Sequence, residues 1–415
     1  MKSIITTSAT GRLDVMGGIA DYSGSLVLQM SIRAQTTVQI SSRTDGQLQI
    51  YSQEMKEYFS MDVQAIQHFP TYQSLGKFIR LIPNGEWAVY VVACYAVLWR
   101  EKNIPLQGFD IQITSNVPAG KGVSSSAALE VATMRAFGTF FNVHFKNTEL
   151  AILAQKAENL VVGAPCGLMD QLACCFSKPN HLLPIVCQPD LLQTPILIPE
   201  NLHFVGLDSG VRHAVSGASY GEVRTAAFMG KKIMGIENDY LCAISPSVYE
   251  QKYARLLPET MKGAAFLQQF GGIDDPISGI NPDVNYAIRA CTQHPIYENQ
   301  RVQRFQQIIT EIQSQRLAED LIYQQNQLTQ LGELMAESHR SYSACGLGND
   351  RTDALVEMVR EAGGELALYG AKITGGGSGG TVCVLAYGNK GKQNARRLLE
   401  DYSLKYQEKT LAFFE

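Results

Sequence analysis

The densest chemistry in this chain lies in Pro118-Ala119-Gly120-Lys121-Gly122-Val123-Ser124-Ser125-Ser126-Ala127-Ala128. Small residues let backbone approach a ligand closely. A helix beginning at Ser125 aims its free N–H groups and the positive end of its dipole at the same spot. These features suit the phosphates of a nucleotide, with serine hydroxyls as further phosphate or Mg2+ contacts; the local pattern alone also suits a helix cap after a flexible turn. It is not the usual P-loop, because no glycine stands five residues before Gly120-Lys121. A second stretch, Gly163-Ala164-Pro165-Cys166-Gly167-Leu168-Met169-Asp170-Gln171, carries one acid among apolar and turn residues, with Glu158 on a helical segment before it. A carboxylate in such a setting can accept a proton from a hydroxyl or hold a cation; capping the following segment is the bland alternative for Asp170. A third, Thr374-Gly375-Gly376-Gly377-Ser378-Gly379-Gly380, satisfies G-x-G-x-x-G at Gly375, Gly377 and Gly380. A strand rather than a helix is expected after it, near the C-terminus, so the dinucleotide reading fails. Such a loop is a hairpin turn or packs its backbone on a ligand held elsewhere. In the fourth, Gly11-Arg12-Leu13-Asp14-Val15-Met16-Gly17-Gly18-Ile19-Ala20-Asp21-Tyr22-Ser23-Gly24, Arg12 can steady a phosphate and Asp21 can accept hydrogen bonds from sugar hydroxyls. Taken singly, each also suits a surface ion pair.

The elements that position these residues read as α+β, with mixed or antiparallel sheets. Strands are expected at Leu26–Ile32, Thr36–Ser41 and Gln47–Tyr51, the last two parted by the turn Thr44-Asp45-Gly46. Further strands follow at Phe109–Thr114, Ile185–Cys187, His203–Asp208, Leu368–Thr374, Thr381–Ala386 and Thr410–Phe414. Helices are expected at Glu86–Arg100, Ser125–Phe141, Glu149–Val162 and Lys392–Tyr402, with a mostly helical region from 220 to 365 broken at Gly346-Leu347-Gly348-Asn349. A domain boundary falls near residue 200, around Pro195–Asn201, dividing the chain into 1–200 and 201–415.

Composition narrows the class. The 415 residues are 45% hydrophobic and 18% charged, with a net charge of −4, which excludes a disordered chain and argues against binding nucleic acid through broad positive charge. The most apolar stretch, Trp87–Trp99, would span about 20 Å as a helix, too short for a bilayer, so a buried helix and no membrane association are expected. The N-terminal residues lack a secretory pattern, and nine cysteines without metal-type spacing point to reduced thiols and a cytoplasmic protein. Cys174-Cys175 reads as a pair of packed thiols. The seven histidines form no H-x3-H pair, and the Gln-rich stretch Ile312–Leu331 reads as a solvated face.

Together, and in this order, the four segments resemble the GHMP superfamily of small-molecule kinases, galactokinase branch, over nearly the whole chain. Ser209-Gly210-Val211-Arg212-His213 with Tyr220 resembles that branch's S-x-V-R-H…Y, and Trp87-Ala88-Val89-Tyr90 its W-A-x-Y helix beside adenine. The resemblance implies the two-domain GHMP kinase fold, with the active site in the cleft between domains, and ATP and Mg2+ as co-substrate and cofactor. It casts Asp170 as the catalytic aspartate facing the sugar's anomeric hydroxyl, which it orients or deprotonates. Arg12 lies near that aspartate and the transferred phosphoryl. Ser126 and Glu158 become Mg2+ ligands, Gly120, Lys121, Gly122, Val123, Ser124, Ser125 and Ser126 the phosphate loop, and Trp87 the adenine neighbour. Gly18, Ile19, Asp21, Gly167 and Tyr220 border the sugar, while the Lys121 side chain faces nucleotide or solvent.

One departure bears on the substrate. Galactokinases carry Glu-His where this chain has Gly18-Ile19, and there the acid contacts the sugar's 6-hydroxyl. Loss of that contact suits L-arabinose, whose pyranose form keeps galactose's hydroxyl arrangement at carbons 2, 3 and 4 and has no carbon 6. Segments such as GKGVSSSAALEVATM are also similar to the kinase part of plant L-arabinokinases. The expected function is therefore ATP-dependent phosphorylation of L-arabinose at carbon 1. The alternatives are galactose, a non-catalytic sugar and ATP sensor, or a kinase for an anionic sugar held by Arg212, His213 and Arg224.

Overall fold

The computed structural model describes residues 4–146, 148–188, 190–211, 220–314 and 321–413. Helices and strands alternate irregularly along the chain, and the sheets are mixed or antiparallel. The chain forms two compact units, each assembled from separated segments. One comprises 1–12, 32–119 and 124–176; the other comprises 13–31, 120–123 and 177–415.

In the first unit, the strand Glu57–Asp62 pairs antiparallel with Gln47–Ser52. The latter runs parallel to Gly108–Ser115, which in turn pairs antiparallel with residues 36–43. Period-two alternation turns Val38, Ile40, Leu48, Ile50, Phe59 and Met61 inward. Against them lies the helix Gly85–Lys102, in which Val89 and every residue from Val91 to Leu98 are buried. Its ends are set by Asn84 and Asn103, both left-handed, with φ of 63° and 54°. The Tyr95 ring stacks on Phe137 of the helix Ser125–Phe140 at a centroid distance of 4.4 Å, and Phe109 meets Phe137 edge-on.

The second unit contains an antiparallel sheet in the order Leu368–Ile373, Thr381–Tyr387, Leu202–Asp208, Ala412–Phe413. Val205, Leu207, Val382 and Val384 pack with Leu355, Val359, Ala395 and Leu399 of the helices Asp350–Ala362 and Gly388–Tyr406. A second apolar cluster joins Ile19 and Tyr22 to Val223, Met229, Ile288, Ile296, Tyr342, Leu347 and Ile373.

Several elements depart from the sequence expectation. Leu26–Ile32 and Thr36–Ser41 are parts of one strand, Leu26–Arg43, because the polar interval Arg33–Gln35 stays extended. This strand pairs with Ile5–Met16, whose Thr- and Ser-rich start hides its strand character. Glu149–Val162 is an α-helix only to Lys156; Ala157–Val162 is a π-helical turn ending at Gly163, φ 79°. The nine cysteines are free. Among the described residues, no helix is long and apolar enough to cross a membrane.

Candidate active site

In the first unit, the serine-rich segment does lead into a helix. Ser124 precedes Ser125–Phe140 in the left-handed region, at φ 61°. A side chain rarely adopts that conformation without compensation. The Ser124 hydroxyl is buried and has no hydrogen-bond partner, while Ser125 and Ser126 are half-buried at the amide-rich helix end.

The π-helical turn carries Glu158 against this end. Insertion of an extra residue per turn re-aims side chains, and such turns recur at functional sites. The Glu158 carboxylate accepts a hydrogen bond from the Ser126 hydroxyl. Its Oε2 also receives the Gln171 amide at 2.6 Å and the Cys166 thiol at 3.4 Å. Burial pushes the Glu158 carboxyl up to about 7, the nearby Asp170 charge adding to the rise and the Ser126 bond opposing it. Asp170 lies in the first turn of the helix Met169–Phe176. Its Oδ1 accepts both Arg12 Nε at 3.0 Å and Arg12 Nη2 at 2.7 Å. Arg12 is 2% exposed and Asp170 27%, so a fully buried cation holds a carboxylate that still meets solvent. Asp170, Arg12, Glu158 and Ser126 thus converge in one unit. Trp87 is half-buried on its helix, with a buried indole N–H that has no acceptor. Gly167 is half-buried between Cys166 and the Asp170 helix, and Cys166 N–H is held by Asn159 Oδ1 at 2.8 Å.

Two members of this cluster escaped the sequence reading. Gln171 Nε2 bridges Glu158 to Glu130 Oε2 at 3.2 Å, and Glu130 is wholly buried with Oε1 unpartnered. Burial, reinforced by Glu158, raises the Glu130 carboxyl well above the ordinary range. The available signal was a single acid on the apolar run Ala127–Ala136. These oxygens suit a hard cation. Among the described residues no group of three or more His, Cys, Asp or Glu is arranged to hold a metal. Mg2+ commonly takes one or two protein oxygens and completes its shell from phosphates and water, which the Glu158–Ser126 pair fits.

In the second unit, Gly120 and Gly122 turn at φ 72° and 70°. The glycine loop packs on their backbone: a Cβ at Gly375, φ 70°, would lie 2.7 Å from Gly122 O. Thr381 Oγ1 also donates to Lys121 O at 2.8 Å. The loop joins two antiparallel strands, as expected, and its smallness serves contact with the 120–122 backbone. The expectation that the Lys121 side chain faces nucleotide or solvent is corrected: its ammonium pairs at 2.9 Å with Asp208, which is 1% exposed.

Also in this unit, Asp21 is 5% exposed and its Oδ1 accepts the Tyr220 hydroxyl at 2.7 Å and the Tyr22 N–H at 2.7 Å. Ile19 is 1% exposed and packs into the apolar cluster, so its side chain is core; Gly18 beside it turns at φ 41°. Arg224 forms a two-pronged pair with Asp275, both bonds 2.8 Å, which neutralises the charge an anionic sugar would have needed. Arg212 and His213 lie outside the described residues.

A half-buried acid held by a buried cation thus lies in the same unit as a buried carboxylate and a serine-led helix start. The family models for the GHMP kinases N terminal domain and the GHMP kinases C terminal match residues 89–178 and 317–407. The chain is 30% identical over 381 residues to a galactokinase of Pasteurella multocida, covering 91% of this chain and 84% of that protein. It is 38% identical over 468 residues to an L-arabinokinase of Arabidopsis thaliana, covering 96% of this chain and 44% of that protein; it therefore spans less than half the length of that relative. The structure of Lactococcus lactis galactokinase complexed with galactose superposes with a TM-score of 0.78 at 20% identity, over 99% of this chain and 93% of that one. The chain belongs to the GHMP kinases, a family of phosphotransferases, and has their fold.

Proposed function

We propose that this chain is an ATP-dependent sugar 1-kinase that converts L-arabinose to L-arabinose 1-phosphate and ADP. The observation that carries the kinase reading is the grouping of Asp170–Arg12 with Glu158–Ser126 at the start of the helix Ser125–Phe140. Asp170 receives the hydrogen bond of the anomeric hydroxyl and takes its proton as that oxygen attacks the γ-phosphorus. The bond from phosphorus to the β,γ-bridging oxygen breaks, and ADP leaves. Arg12 orients Asp170 and offsets charge developing on the transferred group. Gly120–Ser126 hold the phosphates through backbone amides and hydroxyls, Trp87 adjoins adenine, and Asp21, Tyr220, Gly167 and the backbone of Gly18 and Ile19 border the sugar. Glu158 and Ser126 hold Mg2+, which neutralises phosphate charge when bound. The preserved Asp170–Arg12 pair argues against a sensor without catalysis.

The pentose assignment is supported by the likeness to the Arabidopsis L-arabinokinase and by Gly18, which offers no side-chain acceptor for a sixth carbon's hydroxyl. Galactose is the second reading, favoured by the 30% identity to the Pasteurella galactokinase. We place the domain division near residue 200, since the two family models fall on either side of it, and the protein in the cytoplasm. Purified protein with Mg-ATP and a panel of monosaccharides tests the assignment through ADP release. L-arabinose should give the highest kcat/KM; a higher value for galactose overturns the pentose reading.

A further inference from the structure

Three consecutive amides at the substrate-side turn are each held by a different buried side chain of the second unit. Gly17 N–H donates to Glu298 Oε1 at 3.2 Å, Gly18 N–H to Asp14 Oδ1 at 3.1 Å, and Ile19 N–H to the Tyr342 hydroxyl at 2.9 Å. The Tyr342 hydroxyl in turn donates to Gly375 O at 3.2 Å. One buried oxygen therefore joins Ile19 to Gly375, whose Cα lies so close to the phosphate-loop backbone that an added Cβ would sit 2.7 Å from Gly122 O. Tyr342 is wholly buried. Its ring is fixed by the edge-on His294 ring at 5.3 Å and by Lys372 Nζ at 5.1 Å from its centroid. Lys372 is itself anchored to Asp14 Oδ2 at 2.9 Å.

The same hydroxyl decides what residue 18 can be. A Cβ built on Gly18 would lie 1.4 Å from the Tyr342 hydroxyl oxygen, 2.7 Å from its ring carbon Cζ and 2.8 Å from Asp14 Oδ2. The absence of a side chain at 18 is thus built into the packing.

We propose that Tyr342 is a positioning residue of the sugar site. It fixes the Gly18–Ile19 backbone, excludes a side chain at residue 18, and couples that backbone through Gly375 to the loop at Gly120–Gly122. The inference rests on the reading that Gly18–Ile19 border the sugar.

The test uses Tyr342→Phe, Gly18→Ala and the double variant, each assayed for ADP release with Mg-ATP and L-arabinose and each melted to establish its folded fraction. Tyr342→Phe keeps the ring and removes both hydrogen bonds. KM should rise for the sugar and for ATP together, each by roughly fivefold to tenfold, since a neutral hydrogen bond is lost on each side, while kcat changes less than twofold. Gly18→Ala should lower kcat/KM and the melting temperature sharply in the wild-type background and less so in Tyr342→Phe, where the atom at 1.4 Å is gone while the ring carbon at 2.7 Å remains. Both KM values remaining within twofold of wild type in folded Tyr342→Phe overturn the proposal. So does an equal penalty for Gly18→Ala in both backgrounds. A wild-type chain that phosphorylates no sugar sinks the kinase reading instead, and the melting temperatures of the four proteins then decide whether Tyr342 excludes a side chain at 18.

Discussion

Asp170→Asn separates the chemistry of the site from its architecture. Arg12 sends both of its described bonds to Asp170 at the single oxygen Oδ1, at 3.0 and 2.7 Å. An amide oxygen in that place still accepts both, so the pairing survives without its negative charge. Breaking a fully buried ion pair costs about 3–5 kcal/mol. Here Asp170 is 27% exposed and a hydrogen bond remains, so solvent and the amide reduce the penalty to about 1–2 kcal/mol. The amide cannot take a proton from the anomeric hydroxyl. Removing a positioned general base costs about 10²–10⁴ in rate, equivalent to about 3–5 kcal/mol of barrier. Coupled ADP release with saturating Mg-ATP and L-arabinose should therefore show kcat lower by roughly two to four orders of magnitude, with sugar affinity by calorimetry within about threefold. Asp170→Ala is the harsher control, because it removes the oxygen that both Nε and Nη2 of the buried guanidinium reach, and it should melt below Asp170→Asn. A folded Asp170→Asn protein turning over within tenfold of wild type would refute the assignment of Asp170 as proton acceptor.

Two further perturbations probe the remaining parts. The Glu158 carboxyl, raised from its ordinary 4.5 to about 7 by burial, binds its proton more tightly folded than unfolded. Its contribution to stability is thus fully present below about pH 4.5 and lost as pH rises through 7, amounting to at most about 3 kcal/mol. In metal-free protein, Glu158→Gln should gain stability over wild type as pH rises from 5 to 7.5, and parallel melting curves across that range would contradict the burial argument. Gly375→Ala forces a left-handed residue and brings a Cβ to 2.7 Å from Gly122 O; the strain of about 1–2 kcal/mol should raise KM for ATP several-fold and lower the melting temperature, and an unaltered ATP KM would detach this loop from nucleotide binding.

Much of the site was legible because its signals are local. A run of small residues and serines before an apolar helix, an acid inside a turn-rich stretch, and a glycine run between two alternating segments each have a reading within about ten residues. Strand boundaries were less legible: nothing in Arg33–Gln35 announces that the backbone stays extended from Leu26 to Arg43, and the π-helical turn that aims Glu158 looks like ordinary helix in the sequence. Lys121 shows the limit for a single side chain. Its position in the loop followed from spacing, whereas its partner Asp208 is distant along the chain and became its acceptor only through burial.

Residue order alone determined which groups are available, the α+β class and the small-residue loop that leads into the helix Ser125–Phe140, since these depend on backbone propensity and short-range spacing. Tertiary structure decided which carboxylates bind a proton more tightly than usual, which cation is spent on an ion pair, and why residue 18 has no side chain. Those outcomes depend on desolvation and on contacts between residues such as Asp14 and Lys372, or Gly18 and Tyr342, which lie hundreds of positions apart and meet only when the chain has folded.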